Sequence, residues 1–169
     1  MVDLDRIHQR LELLAGYLRE LRRLRDLPIA EYLRHEVYAG RYLVQVAAQT
    51  CIDLANHIIA SEGWRAPRDF GDSFTILAEH AVIDDALAGR LRGLAGLRNR
   101  LVHVYDEIDD SRVHELLAAG LPDLDAFATA LARLGVGPAR EQPGSPLSGV
   151  ADLDSGCGEA IAKGVGHGP

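Results

Sequence analysis

At 169 residues the chain is long enough for one domain with a sizeable core and too short for two large ones. Aromatics make up only 5% of it, strand-like runs are few and good helix formers dominate, so an all-α fold is expected. The net charge of −7 argues against a strongly basic nucleic-acid coat, and the absence of a signal core or a run near ~18 apolar residues argues against a leader or a membrane span.

Residues 3–26 carry Leu4, Ile7, Leu11, Leu14, Leu18, Leu21 and Leu24 at steps of three and four, the signature of an amphipathic helix. Arg19, Arg22, Arg23 and Arg25 load its last turns, where cations complement the helix dipole, and Pro28 closes the segment. A second, longer helix is expected from about Ile29 or Glu31 to Ser61. Its core stripe reads Val37, Leu43, Val46, Ala47, Cys51, Leu54 and Ile58. Beside that stripe run Gln45, Gln49, Asp53, Asn56 and His57. Polar groups bordering a core need partners, on a second helix or on a partner chain. Asp53 and His57, four apart, are spaced to touch each other, either as a structural pair or as groups that orient a site.

Gly63 ends that helix, and a loop through Pro67 leads to a short helix at 71–80 with Phe74, Leu77 and Ala78 inward. Asp84 is the expected N-cap of the next helix, whose Leu87, Leu91, Leu94, Leu97 and Leu101 face the core. Asp109 or Asp110 caps the last helix, which Pro122 is expected to kink or split. From Gly135 onward Gly, Pro and Ser dominate. Residues 1–134 therefore read as one helical domain and 135–169 as a disordered tail. The two cysteines, Cys51 and Cys157, form no CxxC pair or disulfide framework, which fits a reducing, cytoplasmic setting.

The chemistry concentrates in residues 97–105, Leu-Arg-Asn-Arg-Leu-Val-His-Val-Tyr. Arg90, Arg92, Arg98 and Arg100 make a local basic patch, followed by Asp106, Glu107, Asp109 and Asp110, to which no role is given. His103 has a side chain suited to proton exchange near neutrality, and Arg98 offers a fixed cationic fork for phosphate oxygens. Without a metal, the two side chains could cleave RNA through its 2′-hydroxyl, with His103 moving protons, Arg98 stabilising charge and Asn99 orienting the imidazole; on residue types alone the alternative is a surface pair. Positions five apart lie about 140° apart around a helix, so Arg98 and His103 do not share a face. The strip suits a helix end opening into a cleft, or a site assembled from two chains.

The strip matches Arg-x4-His-x-Tyr and resembles the signature of HepT-like toxins of the HEPN superfamily. Residues 52–60, Ile-Asp-Leu-Ala-Asn-His-Ile-Ile-Ala, resemble the second helix of that family, and the likeness extends over about residues 3–134. The resemblance implies an all-α, HEPN-like bundle of about five helices that forms a homodimer with both Arg–His strips in one cleft. It implies a metal-independent, cofactor-free ribonuclease with RNA as substrate, Arg98 and His103 as catalytic residues, and Asn99, Asp53 and Asn56 in support. It further implies a MntA-like nucleotidyltransferase antitoxin that transfers AMP onto the motif tyrosine, here Tyr105. The alternative expectation is a non-catalytic HEPN module that binds a nucleotide or partner beside a nucleotidyltransferase; a third is a dimeric helical scaffold.

Overall fold

A computed structural model describes residues 4–103 and 108–135 of the chain. Six helices are present among them: α1 (Leu4–Arg25), α2 (Ile29–His35), α3 (Val37–Glu62), α4 (Phe70–Glu79), α5 (Asp85–His103) and α6 (Asp110–Gly135). Tyr105, Cys157 and the tail expected at 135–169, apart from Gly135 at the end of α6, lie outside the described residues. No described helix is long and apolar enough to cross a membrane.

Burial explains the bundle. In α1 the buried positions are Ile7, Leu14, Leu18, Leu21 and Leu24, the expected stripe without the exposed Leu4 and the half-buried Leu11. That stripe packs α1 between α3 and α6, while α5 lies against α3 and pairs closely with α4. Phe74 of α4 meets Phe127 of α6 edge-to-face at 5.7 Å, which joins the short helix to the far side of the core. The Arg cluster at the end of α1 is more engaged than a solvated helix end. Arg22 forks onto Asp125 of α6, with Nη2 donating to Oδ2 at 2.7 Å, and Arg23 donates to Glu36 at 3.1 Å.

The single long helix expected over 29–61 is two helices. At Glu36 the backbone leaves helical geometry (φ −119°, ψ 3°). The cause is Tyr32, whose ring is fully buried and lies against the Cα of Gly40; a Cβ built at Gly40 would stand 2.8–2.9 Å from two ring carbons. Residues eight apart in a straight helix are separated by about 12 Å along the axis, so this contact requires the bend. The ring also packs against His114 of α6 (4.7 Å between centroids), and His114 Nε2 donates to the Leu24 carbonyl at 3.2 Å. The bend shifts the stripe on the first half of α3, so Gly40, Val44 and Ala48 are buried where Val37, Leu43 and Val46 were expected. Burial raises the Tyr32 phenol to a pKa of about 12.

The helix ends follow their sequence signals. Gly63 takes the left-handed conformation (φ 69°) at the end of α3, and the Trp64 amide donates to Ile59 O at 3.0 Å, a Schellman closure. Trp64 then stacks on His80 at 3.7 Å, nearly parallel. Asp69, Asp84 and Asp109 cap α4, α5 and α6 by accepting from the amides of Asp72, Leu87 and Arg112. Helix α6 continues through Pro122 rather than splitting. Pro122 and Ala118 are both exposed, so the carbonyl that loses its amide partner faces water.

Two polar clusters hold the connections. Arg41 of α3 grips Asp110 with two bonds (2.6 and 2.8 Å) and donates to the Ile108 carbonyl at 3.3 Å. Arg65, in the α3–α4 loop, bridges Asp72 and Glu79, while the Arg68 amide and side chain also reach Asp72. The Arg65 guanidinium and the Arg68 amide hold the Asp72 carboxyl well below the usual range.

Two predictions follow from these contacts. Gly40→Ala must displace the Tyr32 ring, and we expect a loss of about 1–3 kcal/mol in urea unfolding; unchanged stability would mean that the ring moves freely. Asp72 is depressed in the folded chain, so its contribution is complete above the unfolded carboxylate pKa and fades as pH falls through and below it. Asp72→Asn should therefore lower the urea midpoint at pH 7, and the gap to the parent should narrow toward pH 2. A constant gap across that range would assign the effect to packing.

Candidate functional site

Arg98 and His103 are on one helix but do not converge. They are separated by about 140° around α5 and about 7.5 Å along it. His103 is the last residue of α5 and is exposed. Arg98 lies half-buried one and a half turns earlier, with its guanidinium 5.2 Å from the centre of the Phe70 ring at the start of α4. Its Nη1 donates to Asn99 Oδ1 at 3.2 Å, and its Nε is buried without a hydrogen-bond partner. Asn99 thus supports Arg98, where the sequence had suggested the His103 ring.

Arg98 has no carboxylate partner among the described residues, whereas Arg22, Arg41, Arg65 and Arg90 are all matched to acids on other elements or turns. Arg90 was expected to add to the basic patch, but it is bonded to Asp123 of α6 at 2.7 Å. The cationic character left on this helix is that of Arg92, Arg98 and Arg100. Beside Phe70 the helix presents Gly93, Gly96, Arg92 and Asn99 to an open trough of about 550 Å³, and a Cβ at either glycine would meet nothing within 4 Å. Phe70 carried no signal in the sequence reading, because it lies 28 residues before Arg98 and only the tertiary fold joins them.

Asp53 and Asn56 are placed elsewhere. The Asp53 carboxylate accepts from Gln49 Nε2 at 2.8 Å and faces Arg10 of α1 at 3.5 Å, so the expected Asp53–His57 pair does not form. Gln49 has the same four-residue spacing on the other side and takes that place, while His57 Nε2 is buried without a partner. Asn56 Oδ1 accepts from the fully buried Ser73 hydroxyl of α4 at 2.8 Å. Asp53 and Asn56 line a separate polar cavity of about 380 Å³ with Arg6, Arg10 and His57, to which no described residue of the α5 strip contributes. Their bonds tie α3 to α1 and α4. No group of three or more His, Cys, Asp or Glu side chains among the described residues is placed to hold a metal ion.

The comparisons with known proteins bear on this geometry. The model of the ribonuclease HepT-like family matches residues 14–131, a stretch that contains both α3 and the α5 strip. The chain belongs to the ribonuclease HepT-like family. It is 30% identical over 118 residues to a tRNA nuclease HepT from Aphanizomenon flos-aquae, covering 68% of this chain and 80% of that protein. It is 36% identical over 84 residues to an mRNA nuclease HepT from Shewanella oneidensis, covering 50% and 63% respectively. A tri-AMPylated Shewanella oneidensis HEPN toxin in complex with an MNT antitoxin superposes with a TM-score of 0.68 at 25% identity, covering 79% of this chain and 99% of that one. The fold also matches that of YutE from Bacillus subtilis, with a TM-score of 0.69 at 20% identity over 79% of this chain and 90% of that one. HEPN helical architecture and membership of a ribonuclease family are thus established for this HepT-like chain.

The Asn56–Ser73 bond makes a distinct prediction. Ser73→Ala would leave the Asn56 amide oxygen without its donor in a closed setting, and we expect a cost of about 1–3 kcal/mol in thermal or urea unfolding. A neutral outcome would show that water replaces the hydroxyl.

Proposed function

We propose that this HepT-like chain is the ribonuclease toxin of a toxin–antitoxin pair and that Arg98 and His103 are its catalytic residues. The observation that carries the reading is the state of Arg98: a guanidinium held by neutral groups, with no carboxylate on it among the described residues, on the same helix as an exposed His103. A phosphodiester supplies the missing anion. In the cleavage step the 2′-hydroxyl oxygen attacks the adjacent phosphorus as imidazole takes its proton. The P–O5′ bond breaks, and the leaving oxygen receives a proton from imidazolium, giving a 2′,3′-cyclic phosphate and a 5′-hydroxyl. Arg98 stabilises the charge that builds on the phosphoryl oxygens.

The angular separation of Arg98 and His103 supports a homodimer, in which two strips facing each other complete what one helix cannot. The relatives, one a tRNA nuclease and one an mRNA nuclease, support RNA as the substrate class. The AMPylated toxin complex supports a MntA-like nucleotidyltransferase as partner and AMP transfer from ATP to the Tyr105 hydroxyl, with loss of pyrophosphate. An adenylate two residues beyond His103 adds negative charge and bulk where RNA phosphate must enter. The second reading, a non-catalytic module that binds a nucleotide or partner, is favoured by the net charge of −7 and by the number of arginines already paired with acids.

Expression of the parent chain should arrest growth and deplete RNA, while His103→Ala should do neither and keep its melting temperature, since the side chain is exposed at a helix end. Arrest by both would remove His103 from the mechanism. A purified parent that binds nucleotide or partner but leaves tRNA and mRNA intact would establish the second reading. Co-expression with the nucleotidyltransferase should add adenylate mass to the parent and none at position 105 of Tyr105→Phe.

A further inference from the structure

Phe70 is the first residue of α4 and remains 38% exposed, which is unusual for a large aromatic side chain beside a packed core. Its position is set on both sides. Asp69 caps the helix by accepting from the Asp72 amide at 2.8 Å, and Asp72 is in turn gripped by Arg65 and Arg68. The ring is therefore presented by a braced turn, and what it meets there is the Arg98 guanidinium at 5.2 Å.

Most cross-element arginines of this chain are oriented by acids. Arg41 has Asp110, Arg65 has Asp72 and Glu79, Arg22 has Asp125 and Arg90 has Asp123. Each acid fixes the guanidinium and at the same time cancels its charge. Arg98 is oriented by a π face and a neutral amide, Phe70 and Asn99. The ring quadrupole attracts and aligns a planar cation but contributes no net charge to cancel it.

We propose that Phe70 is a positioning residue for Arg98: its ring face fixes the plane of the guanidinium, which keeps its full charge and its free N–H groups for a phosphate. The proposal rests on the ribonuclease reading of Arg98 and adds a residue to it. The open trough beside the ring is lined by Asn99, Arg92, Gly93, Gly96 and Asp69, and so borders both Phe70 and Asn99, the two residues that hold the Arg98 guanidinium.

The test is steady-state cleavage, by the full chain, of a tRNA pool and an mRNA transcript, whichever the parent cuts. Phe70→Leu should lower kcat about tenfold with KM within about twofold, because Arg98 is needed most where charge develops in the transition state. Phe70→Tyr keeps the ring face and should keep the parent kcat. In an Arg98→Ala background, Phe70→Leu should cost nothing further, since the two act as a unit. If Phe70→Leu loses helix content, Phe70→Met, which keeps bulk without a π face, serves the same comparison. A parent-like kcat in Phe70→Leu, an equal loss in Phe70→Tyr, or an undiminished loss in the Arg98→Ala background would each overturn the proposal. Full activity in Arg98→Ala alone would instead overturn the catalytic reading of Arg98. A readout independent of cleavage is the Arg98 side-chain N–H signal in proton–nitrogen NMR. It should move in Phe70→Leu and stay in Phe70→Tyr, and an unmoved signal in Phe70→Leu would refute the contact.

Discussion

The bidentate bond between Arg41 and Asp110 governs how the two halves of the described chain meet. Both side chains are about four-fifths buried, so each charge has given up most of its water and depends on the other for compensation. The guanidinium is held more strongly protonated than usual by that carboxylate, as the geometry requires. Because Arg41 also takes the Ile108 carbonyl, it fixes the point at which the chain enters α6. The buried Val113, Leu117, Leu121, Leu124 and Phe127 follow from that entry point at helical spacing. The His114 contact with Tyr32 and the Arg22–Asp125 pair depend on the same register. Loss of Arg41 would leave the Asp110 carboxylate without its guanidinium at the junction of α3 and α6 rather than free a surface residue.

Against that background the treatment of charge along α5 is uneven in a useful way. The chain is acidic overall, and several of its acids are held by arginines that tie helices and loops together. Under the proposed function, a cation that serves a polyanion is kept from such acids. Arg98 escapes because its surroundings are a ring, an amide and the small side of a glycine-containing helix face. Structural economy elsewhere and an unneutralised cation here arise from the same composition, distributed differently.

Much of this was legible in the sequence because it was local. Steps of three and four placed α1 and most of α5, the caps at Asp84 and Asp109 announced their helices, and Gly63 marked the end of α3, while the Asp69 cap of α4 was not read. What escaped was set by tertiary contact. The break at Glu36 has no Gly or Pro of its own, and it arises because the Tyr32 ring needs the bare Cα of Gly40. Pro122 gave a clear local signal that the solvent-facing position of Ala118 made tolerable. In the candidate site, the strip itself was visible, but spacing alone could not tell whether Asp53 would choose Gln49 or His57. Nor could it reveal that Asn56 belongs to Ser73, or that an aromatic 28 residues upstream would lie on Arg98.

Trp64 is the only tryptophan in the chain, and its indole lies flat on the His80 imidazole across the loop that leads to Phe70. The intrinsic tryptophan emission of the whole molecule is thus a strictly local signal. It reads the stacking of Trp64, at the start of the α3–α4 loop, on His80, at the end of α4. Any event that separates these two rings would register optically without a label, while changes confined to the α1–α6 side would remain dark.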